Sequence, residues 1–130
     1  MRLALAVHGA PYASQSSASA LRFARAAVAG GHEIPRVFFY HDGVQAASAI
    51  AVAPQDEPSP LDGWVALAAE HDMELAVCIA ASLKRGVVNE EERARYSLSA
   101  ANVHPSFAVV GLGQLIDAVM QADRLVTFAA

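Results

Sequence analysis

The sequence predicts an α/β fold, a three-layer α/β/α sandwich on a mainly parallel sheet of about five strands. Short apolar runs without polar alternation recur along the chain, as expected for strands that are covered on both faces. Segments with helical periodicity separate these runs, which favours right-handed βαβ units. At 130 residues the chain has the length of one domain, so residues 1–130 are expected to share one core.

The predicted strands are five apolar runs. Leu3–Val7 opens the chain, and Val37–Tyr40 is rich in residues that favour strands. Glu74–Ala80, Phe107–Val110 and Leu125–Phe128 are similar runs. We expect all five to lie buried in one sheet.

The predicted helices are marked by caps, terminators and a periodicity of about 3.6 residues. An Ala-rich segment from Ser14 to Ala29 stops at two glycines, and a second helix starts with Ser59 as N-cap and Pro60 in its first turn, ending near His71. Three further helices are predicted over Ala80–Gly86, after Asn89 and over Leu112–Met120. Residues 51–60 hold three prolines and are predicted to form a long loop.

The helix over Leu112–Met120 has the clearest periodicity. Its apolar positions are expected to pack on the sheet; they are Leu112, Leu115, Ile116, Val119 and Met120. The opposite face, with Gln114, Asp117 and Gln121, is expected to face solvent.

Composition limits the possible functions. The formal net charge of −4 argues against a nucleic-acid binder, which draws on clustered Lys and Arg. Charged residues are only 17% of the chain and apolar ones 55%, so part of the apolar surface is expected to face other subunits. No apolar run has the length of a signal peptide or a membrane span, and we expect a soluble cytoplasmic protein.

Cys78 is the only cysteine. It stands near the carboxyl end of a predicted strand and before a short predicted helix, where parallel sheets gather ligands and chemistry. The amide groups that open this helix would stabilise a thiolate, whereas Lys84 lies about 9 Å along the axis. The alternative from position alone is a small buried residue of the core, which is what most free cysteines are.

Other residues and motifs give weaker evidence for a functional site. His8 and His41 each end a predicted strand, so they fall on the same edge as Cys78 and could tune its thiolate; solvated loop histidines are the alternative. Gly111-Leu112-Gly113 lacks the third glycine of a dinucleotide fingerprint, and no other spacing indicates a phosphate loop, a serine hydrolase or a metal site. We expect no cofactor and no metal.

Three segments in order resemble one known family over essentially the whole chain. Val37–Val44 reads VFFYHDGV, Cys78–Val88 reads CIAASLKRGVV, and Gly111–Leu115 reads GLGQL. Together they resemble the TusD/DsrE family; residues 45–62 match it least well.

The resemblance implies a DsrE-like fold, with Cys78 as the catalytic residue that carries sulfur as a persulfide. It also implies a heterohexamer with related small subunits of the TusB and TusC type, or of the DsrF and DsrH type. A TusA-type donor would supply sulfur and a TusE/DsrC-type acceptor would take it. The relay would end in 2-thiouridine at the tRNA wobble position, without direct contact with nucleic acid.

Three alternatives stay open. A DsrE-type subunit would use the same chemistry in dissimilatory sulfur oxidation. A non-catalytic assembly subunit would hold Cys78 as core packing and resist alkylation. A small-molecule or nucleotide binding module on this fold would be stabilised by its ligand, and the incomplete glycine motifs make it the weakest alternative.

Overall fold

The computed structural model describes Met1–Ala130 and contains one sheet in which all neighbouring strands are parallel. The strands are β1 (Arg2–Val7), β2 (Glu33–Phe39), β3 (Glu74–Cys78), β4 (Phe107–Val110) and β5 (Arg124–Phe128). Their order across the sheet is β4-β3-β2-β1-β5, so the first strand pairs with the last. The predicted fold class is confirmed.

The helices are α1 (Gln15–Ala29), α2 (Pro60–His71), α3 (Ile79–Lys84), α4 (Glu90–Arg95) and α5 (Gly113–Gln121). A 3-10 helical segment, His41–Ala47, follows β2. The side chains of Ser14, Ser59 and Asn89 cap α1, α2 and α4 by accepting hydrogen bonds from backbone N–H groups of the first turn. These caps are the sequence signals that predicted where the three helices begin.

The two faces of the sheet can be told apart by two sets of contacts. Phe39 meets Trp64 of α2 at a ring-centroid distance of 5.3 Å. Arg36 meets Asp117 of α5 at 3.1 Å. Because successive strand residues point to opposite faces, each residue of β2 can be assigned to the α2 side or to the α5 side, and the register extends this to the other strands. The face of the sheet that contacts α5 is called the α5 face below.

Several boundaries differ from the predicted ones. β2 begins at Glu33, well before Val37, because pairing with β1 already starts at Arg2. β3 ends at Cys78 and not at Ala80, since α3 begins at the next residue. The 3-10 segment was not predicted. Its Gly43 packs so closely on β1 that an added Cβ would collide with the carbonyl oxygen of Val7.

The position of α5 along the chain is predicted correctly, but its orientation only in part, since Leu115 packs against the core as expected while other residues of the apolar stripe do not. Only Ala118 of this helix is buried, whereas Ile116 is 59% exposed and Met120 79% exposed. Asp117, predicted to face solvent, forms an ion pair with Arg36 of β2, and the Gln114 carbonyl accepts from the same guanidinium at 2.9 Å. This polar attachment turns much of the apolar stripe outward.

Candidate functional site

The carboxyl ends of the strands bring Cys78 into a row of residues on the α5 face. Val7 pairs with Phe39, and Phe39 pairs with Val77. One residue further on, His8, Tyr40 and Cys78 therefore stand level on neighbouring strands, and Val110 of β4 pairs with Cys78 on the other side. Residues level with each other on one face have Cβ atoms about 5 Å apart. The fold thus places Tyr40 between His8 and Cys78.

Cys78 is buried, with 3% of its surface exposed, and it is both the last residue of β3 and the N-cap of α3. Its backbone is extended (φ −66°, ψ 123°), and its side chain caps no amide of the helix. The helix carries Lys84 in its last turn, exposed and remote from the thiol. The predicted placement of the thiol before a helix is thus observed, whereas the predicted amide contact is not made in this state.

α3 is only six residues long, which is too short for a helix to be stable alone. Arg85 attaches its end to the 3-10 segment, because Nε donates to Asp42 at 2.7 Å while Nη1 donates to the carbonyl oxygen of Ala81 at 3.1 Å. Gln45 adds a long hydrogen bond to the carbonyl of Arg85. These contacts hold the helix that follows Cys78 against the segment that follows Tyr40.

Three aromatic rings cluster at the carboxyl ends of β1 and β2. The Tyr40 ring lies 4.2 Å from that of His41 and 5.9 Å from that of His8, and the two histidines are 5.0 Å apart. Burial, together with the neighbouring charge of His41, lowers the pKa of His8 below its usual value. His41 has a left-handed backbone (φ 49°), uncommon for any residue with a side chain. Both histidines lie at the edge that the topology predicted, and their influence on Cys78 stays a prediction.

Two residues of the site were not predicted from the sequence. Tyr40 was assigned to the end of a strand, and only the register shows that it stands beside Cys78. Ser82 in α3 is 1% exposed, and its hydroxyl has no hydrogen-bond partner. A serine within a helical motif gives no signal that distinguishes a buried unpaired hydroxyl from an ordinary exposed one.

Other candidate features lie elsewhere. A cavity of about 390 Å³ at the same edge is lined by Tyr12, Gln45, Ser48, Ile50 and Ser59 among others, and Cys78 does not reach it. Gly111 and Gly113 border open space, without a surrounding pocket. No three His, Cys, Asp or Glu side chains are grouped as a metal site. None of the helices is long and apolar enough to span a membrane.

Comparison with known proteins decides the family. The model of the DsrE/DsrF-like family matches residues 1–128. The chain belongs to this family. It is 47% identical over 128 residues to "Putative sulfurtransferase DsrE" of Allochromatium vinosum, covering 98% of each chain. It is 46% identical over 124 residues to "Sulfurtransferase TusD" of Serratia proteamaculans, covering 95% of this chain and 96% of that one.

The fold has a counterpart among solved structures. The crystal structure of the ychN protein from E. coli superposes with a TM-score of 0.77 at 20% identity, covering 98% of this chain and 99% of that one. Membership of the DsrE/DsrF-like family confirms the resemblance seen in the sequence. The names of the two relatives support a sulfur-transfer role, the class of activity that the sequence predicted, and a family relay implies partner proteins that supply and take sulfur.

Proposed function

We propose that this chain is a cytoplasmic sulfur carrier that accepts sulfane sulfur as a persulfide on Cys78 and passes it to a cysteine of a partner protein. The observation that carries the proposal is the position of the only cysteine, at the carboxyl end of β3 in a family of sulfurtransferases. A second cysteine in the chain could displace the carried sulfur and form a disulfide. This chain has none, which suits a carrier that must release sulfur to another molecule.

The transfer needs no cofactor. The Cys78 thiolate attacks the outer sulfur of a donor persulfide, a new S–S bond forms, and the donor's S–S bond breaks with its electron pair left on the donor thiolate. In the next step an acceptor thiolate attacks the outer sulfur on Cys78, and the electron pair of that S–S bond returns to Sγ. Each step exchanges one S–S bond for another, so no net oxidation or reduction occurs.

Burial of Cys78 has to be relieved during transfer, because an acceptor thiolate must approach in line with the S–S bond. Tyr40 is the neighbour best placed to move, since it is only half-buried and is followed by the left-handed His41. The alternative of an assembly subunit with Cys78 as core packing also expects a buried thiol. Reactivity toward a persulfide donor separates the two.

The α5 face also supports a docking role. α5 packs on this side of the central strands, and Ile116 and Met120 of the helix and Leu112 at its N-cap are exposed. At the sheet edges, Ala108 of β4 and Leu125 of β5 are exposed on the same face. We propose that related subunits of the TusB and TusC type, or the DsrF and DsrH type, cover this surface in a heterohexamer, with a TusA-type donor and a TusE/DsrC-type acceptor visiting Cys78.

We place the relay on the route to 2-thiouridine at the tRNA wobble position. The alternative is dissimilatory sulfur oxidation, which the DsrE relative favours, and the two relatives differ by only one percentage point in identity. Deletion of the gene in its native host should abolish wobble 2-thiouridine if the first assignment is right. Retained 2-thiouridine together with impaired sulfur oxidation would establish the alternative.

The mechanism is tested with Cys78→Ser. Serine is close to cysteine in size but far less nucleophilic near neutral pH. After incubation with a persulfide-loaded donor, intact mass should show one added sulfur atom on the wild type, lost again on addition of an acceptor thiol. The variant should stay unmodified and folded, because a buried hydroxyl costs at most about 1–3 kcal/mol. Unimpaired transfer by the variant would refute the carrier role.

A matched control tests whether a substitution at any buried position disturbs folding and sulfur transfer. Ser17 is a buried residue of α1, on the opposite side of the sheet, and Ser17→Ala should load and transfer sulfur as the wild type does. If Cys78→Ser fails to fold while Ser17→Ala folds normally, Cys78 is a packing residue and the assembly alternative is favoured.

A further inference from the structure

Ser82 carries a feature that packing alone does not explain. Its residue surface is 1% exposed and its Oγ is fully buried without a partner. A buried hydroxyl without a hydrogen bond destabilises a fold by about 1–3 kcal/mol, and alanine would fill nearly the same space. Serine in a helix ordinarily donates to the carbonyl four residues earlier, which here belongs to Cys78, and this bond is absent.

The place of Ser82 in α3 relates it to the thiol. Cys78 is the N-cap of α3 with an extended backbone, and Ser82 follows four residues later, about one turn or roughly 6 Å along the helix axis. The thiol makes no capping bond, and the hydroxyl donates to no group of the chain. Two buried polar groups without a hydrogen-bond partner therefore lie about one turn apart along a six-residue helix.

Addition of a sulfur atom to Cys78 changes this geometry. A persulfide places its outer sulfur about 2 Å beyond Sγ, which is the length of an S–S bond. The charged form of a persulfide accepts hydrogen bonds, and a buried anion needs such a donor.

We propose that Ser82 is a substrate-positioning residue whose hydroxyl donates a hydrogen bond to the outer sulfur of the Cys78 persulfide. The inference rests on the proposed sulfur-carrier function and adds to it a second side chain that binds the transferred atom. In the sulfur-free protein the hydroxyl is left without a partner, and the unpaired state is relieved only when sulfur is loaded. Ser82 thus favours the persulfide over the free thiol.

The test compares Ser82→Ala with wild type and with the control Ser17→Ala. Each protein is loaded from a small inorganic polysulfide, and the rate of alkylation is followed against pH by intact mass, for the thiol and for the persulfide separately. Ser82→Ala should raise the apparent pKa of the persulfide by about one unit and leave the thiol profile unchanged. Its melting temperature should equal or exceed that of the wild type, because an unpaired hydroxyl has been removed.

Any of the following results would overturn the inference. Superimposable persulfide profiles would show that the hydroxyl does not touch the outer sulfur. An equal shift of both profiles would place the hydroxyl on Sγ instead. A lower melting temperature with unchanged profiles would make Ser82 a structural residue. If wild-type Cys78 takes up no sulfur at all, the carrier function itself fails, and this result is distinct from a failure confined to Ser82.

Discussion

Tyr40 stands level with Cys78 on the adjacent strand and on the same face of the sheet, so that a half-exposed phenol lies beside a buried thiol. The ring also packs against His8 and His41. We expect Tyr40 to limit access to Cys78 from this side, and this expectation can be tested without changing the cysteine.

Tyr40→Ala should expose the thiol. Removal of the ring is expected to raise the rate of Cys78 alkylation by roughly tenfold or more, at a cost of about 1–3 kcal/mol in the free energy of unfolding. The rate is measured by intact mass in native buffer and normalised to the unfolded protein. Tyr40→Phe keeps the ring and should react as the wild type does; equal rates in all three proteins would show that Tyr40 does not cover the thiol.

Lys84→Ala should leave the pH dependence of Cys78 alkylation nearly unchanged. Lys84 is exposed in the last turn of α3, whereas Cys78 lies at the opposite end of the helix. A charge in solvent at this distance is strongly screened. A large upward shift of the thiol pKa in this variant would instead identify Lys84 as the group that activates the thiolate.

His8 should make the folded protein less stable in mild acid. Its pKa is lowered in the fold by burial and by the charge of His41. The unfolded chain therefore takes up the proton first as the pH falls below about 6.5, and the destabilisation grows until the pH is below the folded pKa. The fall in melting temperature between pH 7.5 and pH 5 should be smaller in His8→Gln than in the wild type. An identical fall would show that His8 is not responsible.

Arg36 should contribute more to stability than an exposed arginine does. It is half-buried and binds Glu74 at 2.7 Å, Asp117 at 3.1 Å and the carbonyl of Gln114. Arg36→Ala is expected to cost about 1–3 kcal/mol in chemical denaturation, because it removes the packing and the charge-assisted hydrogen bonds of a largely buried guanidinium. Arg2→Ala removes an exposed pair with Glu33 and should cost less than about 1 kcal/mol. Equal costs would refute the role of Arg36 in holding α5.

Ile116→Asp should block assembly without unfolding the subunit. Ile116 is 59% exposed on α5, so the charge enters solvent in the free chain but would be buried in an interface. Co-expression with the related small subunits followed by native mass spectrometry should give a complex for the wild type and free subunits for the variant. Gln121→Asp, on the same helix but outside the apolar stripe, serves as the control. An intact complex with Ile116→Asp would place the interface elsewhere.

The limits of sequence reasoning are visible in α5 and in the Cys78 row. Periodicity and the glycines located α5 correctly, because helix formation depends on local pattern. The face that packs on the sheet was predicted only in part, because Asp117 on the face expected in solvent binds Arg36, a residue on a strand far away in sequence. Likewise, the position of Cys78 near a strand end was predictable, whereas its pairing with Tyr40 depends on the register between strands. The unpaired hydroxyl of Ser82 is a property of packing that no local motif encodes.

The pairing of β1 with β5 bears on how the chain is made. β1 is synthesised before the other four strands, yet its outer neighbour is β5, Arg124–Phe128. Until those residues have left the ribosome, β1 remains an unprotected edge with open N–H and C=O groups, which other chains can pair with. A nascent or truncated product should therefore aggregate or be captured by chaperones, even with the strand that bears Cys78 already in place. Protection of the sheet that carries Cys78 is thereby linked to the synthesis of β5.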